Sequence, residues 1–218
     1  MMAKKISLTL VGIGSICLIL FAIAFFFPVF TVKEIISQGS QHTHAEDIQN
    51  VTDPLIGTNT VRVDTQDIAQ DLVALPWVLT ATVKTQLPST VAIEIVEHEP
   101  VMYEAKEDGD HLIDRQGRVF VVEPHPEGLI AVTGVTDDQG YRDILGVIES
   151  IGVAERSAIA EIQAPSASSM ALLLKDGKRV FWGSNENSHD KAIALSVAVT
   201  RPEQTIDISG APIVSVVP

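Results

Sequence analysis

Hydrophobic and polar positions divide the chain sharply. Residues 6–27, ISLTLVGIGSICLILFAIAFFF, carry no charge. As a helix rising roughly 1.5 Å per residue, this run is about 33 Å long, the thickness of a bilayer's hydrocarbon core with a small tilt. The pattern predicts a single transmembrane helix over 6–28, stopped at Pro28, which cannot continue the hydrogen-bond ladder. Lys4 and Lys5 precede it, and only Lys33 follows closely, with Glu34 beside it. The positive-inside bias then predicts a cytoplasmic tail at 1–5 and about 190 residues outside. Ala22-Ile23-Ala24 has a cleavable A-x-A form. Cleavage there would leave Phe25-Phe26-Phe27-Pro28 at the new terminus, and the run exceeds the roughly 7 to 15 residues of a signal core. An uncleaved anchor is the expectation.

Beyond the anchor the period shortens. Phe30, Val32 and Ile35 read as a strand closed by Gln38-Gly39-Ser40. Thr43-His44-Ala45-Glu46 has the form of a capping box, opening a helix with Ile48 and Val51 inward and Asp53-Pro54 at its end. Asp64 caps a second helix, with Ile68, Leu72 and Leu75 on one face and Pro76 as its stop. Two alternating runs follow, Trp77-Leu79-Ala81-Val83 and Val91-Ile93-Ile95, joined through Leu87-Pro88-Ser89 as a hairpin. Trp77 and Leu79 are expected to pack between the second helix and the sheet. The order is β-α-α-β-β across a first outer domain, 29–98.

A second outer domain, 99–218, reads as a mixed β domain with flanking helices. Strands at 101–105 and 111–114 flank the turn Glu107-Asp108-Gly109-Asp110, and Val119-Phe120-Val121-Val122 forms a third. Ile144, Val147 and Ile148 predict a helix over 141–151. Strands are expected at 160–163, 171–174 and 179–182, then a helix from Lys191 through Val199. Thr205, Ile206, Ile208, Ile213, Val214 and Val216 have strand character, and Pro212 suits a bulge or an edge. The fold class is therefore α+β behind a transmembrane helix.

Charge narrows the function. There are 15 Lys+Arg against 28 Asp+Glu, a formal net of −13, and removing the two N-terminal lysines leaves −15 beyond the apolar run. Such a surface repels phosphate backbones and anionic headgroups, which argues against nucleic-acid binding. Cys17, the single cysteine, lies inside the apolar run, so neither an internal disulfide nor a Cys-based zinc cluster can form. His42 and His44 with Glu46 and Asp47 read as residues around a helix cap, not as metal ligands. The consecutive side chains of Ser188-His189-Asp190 cannot converge on one proton-transfer line, and they are expected to open the last helix. Glu94, Glu97 and Glu99 lie along a strand and its end, and Glu107, Asp108 and Asp110 in a turn. Neither group forms the opposed walls that paired catalytic carboxylates need. With no phosphate loop, nucleophile elbow or dinucleotide fingerprint, no catalytic, metal or cofactor residues and no small-molecule substrate are expected.

Several stretches taken together resemble a known family. They are Leu75-Pro76-Trp77-Val78, Leu87-Pro88-Ser89-Thr90-Val91, Glu97-His98-Glu99-Pro100-Val101, the run from Leu112 through Asp114 and Gly117 to Phe120, Asp176-Gly177 with Phe181-Trp182-Gly183, and Thr205-Ile206-Asp207-Ile208. In that order they resemble the bacterial cell-division proteins FtsQ and DivIB. His98 stands where the family usually has arginine. The resemblance implies a POTRA fold for 29–98 and an FtsQ-type β domain for 99–218. It also implies a non-catalytic scaffold in the cell membrane, concentrated at the division septum. The implied partners are FtsB (DivIC) and FtsL, and through them the septal peptidoglycan synthase. The family's C-terminal strand receives a strand of FtsB, which maps the contact to Thr205, Ile206, Ile208, Ile213, Val214 and Val216. Alternatives from other classes are a POTRA-bearing transport or assembly factor and a secreted cell-wall enzyme.

Overall fold

The computed structural model describes residues 16, 30–212 and 215–216. The tail at 1–5 and the transmembrane helix expected over 6–28 lie outside the described residues, apart from Ile16. No helix among the described residues is long and apolar enough to cross a membrane. The chain divides into two compact units, one up to Glu97 and one from His98.

The first unit has the predicted β-α-α-β-β order: β1 (Glu34–Gln38), α1 (Ala45–Thr52), α2 (Thr65–Val73), β2 (Val78–Gln86) and β3 (Thr90–Glu97), with 3-10 turns at Asp53–Leu55 and Thr60–Arg62. The sheet order is β1-β3-β2, with β1 parallel and β2 antiparallel to β3. Asp64 caps α2 as expected, accepting from the backbone N–H groups of Gln66 and Asp67. The apolar faces of the two helices meet one face of the sheet, burying Ile48, Ile68, Leu72, Val83, Val91, Ile93 and Ile95. Gly39, at φ +94°, lets the chain leave β1 where a Cβ would lie 2.0 Å from the Ile95 carbonyl oxygen.

Two local expectations change. The N-cap of α1 is His44, with no side-chain cap bond, so there is no capping box. The Thr43 hydroxyl donates instead to Glu97, 2.6 Å away. The register of β2 also differs from simple alternation. Val78 pairs with Glu97 but Thr80 with Val96, so a bulge at Leu79 shifts the inward positions. Val78 is buried in the core while Leu79 is half-exposed. Trp77 precedes the strand and stacks on His42, with centroids 4.2 Å apart.

The second unit is one nine-stranded sheet covered on one face by helices. Its strands are β4 (Pro100–Lys106), β5 (Gly109–Asp114), β6 (Val119–Val122), β7 (Ile130–Thr133), β8 (Ile159–Gln163), β9 (Met170–Leu174), β10 (Arg179–Gly183), β11 (Thr205–Asp207) and β12 (Ser215–Val216), in the order β12-β11-β10-β9-β8-β7-β4-β5-β6. Helices α3 (Asp138–Ser150), α4 (Val153–Ala158) and α5 (Ser188–Thr200) complete it. Parallel neighbours need a crossover. Here α3 and α4 connect β7 to β8, and α5 connects β10 to β11, both parallel pairs. The core joins Tyr141, Ile144 and Val147 of α3 and Leu195 and Ala198 of α5 to Met102, Ile162, Leu172, Val180, Trp182, Ile206 and Ile208 of the sheet side. The short elements β7 and α4 were not anticipated from the pattern.

The turns at 114–118 and 176–178 have a common physical basis. Asp114 Oδ1 accepts from the N–H groups of Gln116 and Arg118 (2.7 and 3.0 Å), and Gly117 takes φ +73° to close the turn. Asp176 accepts from the N–H of Lys178 (3.1 Å) beside Gly177 at φ +90°. Each side chain satisfies turn donors that the ladder leaves over.

Candidate partner-binding edge

The C-terminal stretch does not run as one strand. β11 lies between β10 and β12, pairing in parallel with β10 (Val180 opposite Ile206) and antiparallel with β12 (Ile206 opposite Val216, Asp207 opposite Ser215). Alternation along β11 sends Ile206 into the core, and Ile208 just beyond the strand is buried with it, both fully. Thr205 and Asp207 are half-buried. Thr205, Ile206 and Ile208 therefore sit in or beside an interior strand, and two of the three are core residues. Val216 is in β12; Ile213 and Val214 lie outside the described residues. Among the described residues β12 is paired on one side only, so its outer N–H and C=O groups form a sheet edge that can accept another strand.

The route from β11 to β12 is held by backbone bonds. The N–H of Ile208 donates to the Phe181 carbonyl (3.0 Å), extending the β10–β11 pairing by one residue. Ser209 N–H then donates to Asp207 Oδ1 (2.8 Å), and Ala211 N–H to the Ile208 carbonyl (3.0 Å). Behind this turn lies Lys191, 2% exposed, from the first turn of α5. Its ammonium donates to the Ser184 carbonyl (2.8 Å) and lies 5.9 Å from the Trp182 ring centroid. Burial pushes this ammonium below the ordinary lysine range, opposed by the carboxylates of Glu186 and Asp207.

Other candidate groups have structural partners. Ser188 Oγ donates to the Asn185 carbonyl and side chain (2.8 and 2.7 Å), as a residue opening a helix does. Glu99 forms a bidentate pair with Arg115, which holds its carboxyl below the usual range. Asp108 pairs with His111 and Asp110 with His125. His42 is engaged with Trp77, and no group of three or more His, Cys, Asp or Glu among the described residues is placed to hold a metal ion. Alternation puts Glu97 on the helix-covered face of β3. There its carboxylate accepts from the N–H groups of Thr43 (2.7 Å) and His42 (3.0 Å) as well as the Thr43 hydroxyl. The motif that carries Glu97 was visible in the sequence; its partner, 54 residues earlier in the chain, was not.

Fold and edge define a class: a POTRA domain followed by a β domain whose sheet has β12 as an outer strand. Comparison with known proteins agrees. Residues 30–98 match the FtsQ-type POTRA domain, and 102–209 match the C-terminal domain of cell division protein FtsQ/DivIB. The chain is 34% identical to cell division protein FtsQ of Corynebacterium glutamicum, over 99% of this chain and 100% of that one. It is 33% identical to FtsQ of Mycobacteroides abscessus over 94% of this chain and 64% of the relative. With FtsQ of Mycolicibacterium smegmatis it shares 30% identity over 96% and 62%. The chain belongs to the FtsQ/DivIB family of cell division proteins.

Proposed function

We propose that this protein is a non-catalytic scaffold of the division machinery, anchored by residues 6–28 with both folded units outside the cell membrane and concentrated at the septum. It joins FtsB (DivIC) and FtsL and through them acts on the septal peptidoglycan synthase. The observation that carries the reading is β12, the outermost strand of its sheet and paired on one side among the described residues, in a chain of this family. A strand of FtsB adds to that edge by main-chain pairing, with side chains along 213–216 setting specificity. Main-chain pairing tolerates conservative changes but not a charge at the contact. Val214→Glu and Val216→Glu should each abolish FtsB capture while leaving the far-ultraviolet circular dichroism intact. Undiminished FtsB binding by both folded variants would place the contact elsewhere. Topology has its own test: protease outside intact spheroplasts should digest the chain beyond about Phe30, and a protected C-terminal unit would overturn it.

A further inference from the structure

We propose that Gly183 is a positioning residue for partner capture: its missing side chain makes the room in which the turn at Ser209 seats, and that seating aims β12. This rests on the reading of β12 as the partner-binding edge. Gly183 ends β10 at φ +79°, and a Cβ built there would lie 2.8 Å from Ser209 Cβ and 3.5 Å from Ser209 Cα. Carbon atoms in contact sit roughly 3.5–4.0 Å apart, so the two chains would have to separate by about 1 Å.

Neither side of the contact yields evenly. Gly183 is held on its own side by pairing with Met170 of β9, and the following Ser184 carbonyl is held by buried Lys191. On the other side, Ile208 is bonded to Phe181 and buried in the core. The displacement therefore passes forward into 209–212, toward the segment that becomes β12. Among the described residues two pairs tie β12 to β11. A shift of about 1 Å exceeds the spread of normal N–H···O distances and breaks such pairs. The core residues nearest this turn among those described, Ile208 and Ala211, lie at or before it, so the core is affected less.

The test uses the full-length chain co-expressed with its FtsB-family partner and purified from solubilised membranes. Gly183→Ala should reduce co-purified partner by about tenfold or more, with the Trp182 environment preserved by near-ultraviolet circular dichroism. Gly177→Ala controls for backbone strain alone, since Gly177 also has positive φ but nothing within 4 Å of its added Cβ; it should retain capture. Ser209→Gly removes the opposing Cβ, leaving the next Ser209 atom at an ordinary 3.5 Å, so Gly183→Ala/Ser209→Gly should restore capture. Retained capture by Gly183→Ala, or no rescue in the double variant, overturns the proposal. Loss of the folded core together with capture also overturns it, because Gly183 would then serve the fold and not the strand. A chain ending at Ala211 separates the two readings: if it still captures the partner, the β12 assignment itself fails.

Discussion

The Glu97 carboxylate offers a sharp test of how the first unit is held. It accepts the Thr43 hydroxyl at 2.6 Å, the Thr43 N–H at 2.7 Å and the His42 N–H at 3.0 Å. Partial burial pushes this carboxyl up, but the hydrogen bonds from Thr43, His42 and Gln41 outweigh it and hold it below the ordinary glutamate value. Glu97→Gln keeps the shape, removes the charge and turns an NH₂ group toward donors. A hydrogen bond to a charged group contributes roughly 1.5–3 kcal/mol against roughly 0.5–1.5 for a neutral one. After allowance for solvent screening of a partly exposed site, the loss is about 2 kcal/mol. For a domain of this size that lowers the melting temperature by about 10 °C. The pH dependence carries the sign. A carboxyl whose folded pKa is depressed contributes its stability above the unfolded value of about 4.3 and loses it as pH falls through the folded pKa. Thermal unfolding of both proteins from pH 7 to pH 3 should show a gap that is constant above about pH 5 and narrows at the acidic end. A gap of equal size at pH 3, or none at pH 7, would refute the assignment.

Other substitutions probe register, close approach and buried polarity. Val78→Ala should cost about 2 kcal/mol and Leu79→Ala less than about 1; denaturant melts giving the reverse order would remove the bulge from β2. Gly39→Ala drives a methyl into the Ile95 carbonyl and should unfold the first unit at lower temperature by differential scanning calorimetry, whereas Gly57→Ala, with nothing within 4 Å, should not clash. Tyr141→Phe removes the 2.6 Å bond to buried Glu104 and should destabilise the second unit by roughly 1–3 kcal/mol in urea.

Much of this protein is decided locally. Periodicity and punctuation marked both helices of the first unit, the β2–β3 hairpin, the β4–β5 hairpin and helix α3. These depend on neighbours three or four residues away, or two along a strand. Asp64 as a cap was legible for the same reason, because donor and acceptor are close in sequence. β7 and α4, with four and six residues, are too short to show a period. The features that failed or were invisible all involve distant partners. Thr43 looked like a cap, yet Glu97, 54 residues away, takes its hydroxyl. The alternation of Trp77 and Leu79 was real, but pairing with β3 inserted a bulge that carried Val78 into the core. In the C-terminal stretch, alternation marked strand character but not position in a sheet. Only the β10-α5-β11 crossover made Ile206 a core residue and moved the edge to β12. Propensity and turn chemistry act over a few bonds, whereas which strand lies outermost and which backbones touch, as at Gly183 and Ser209, follows from the path of the whole chain.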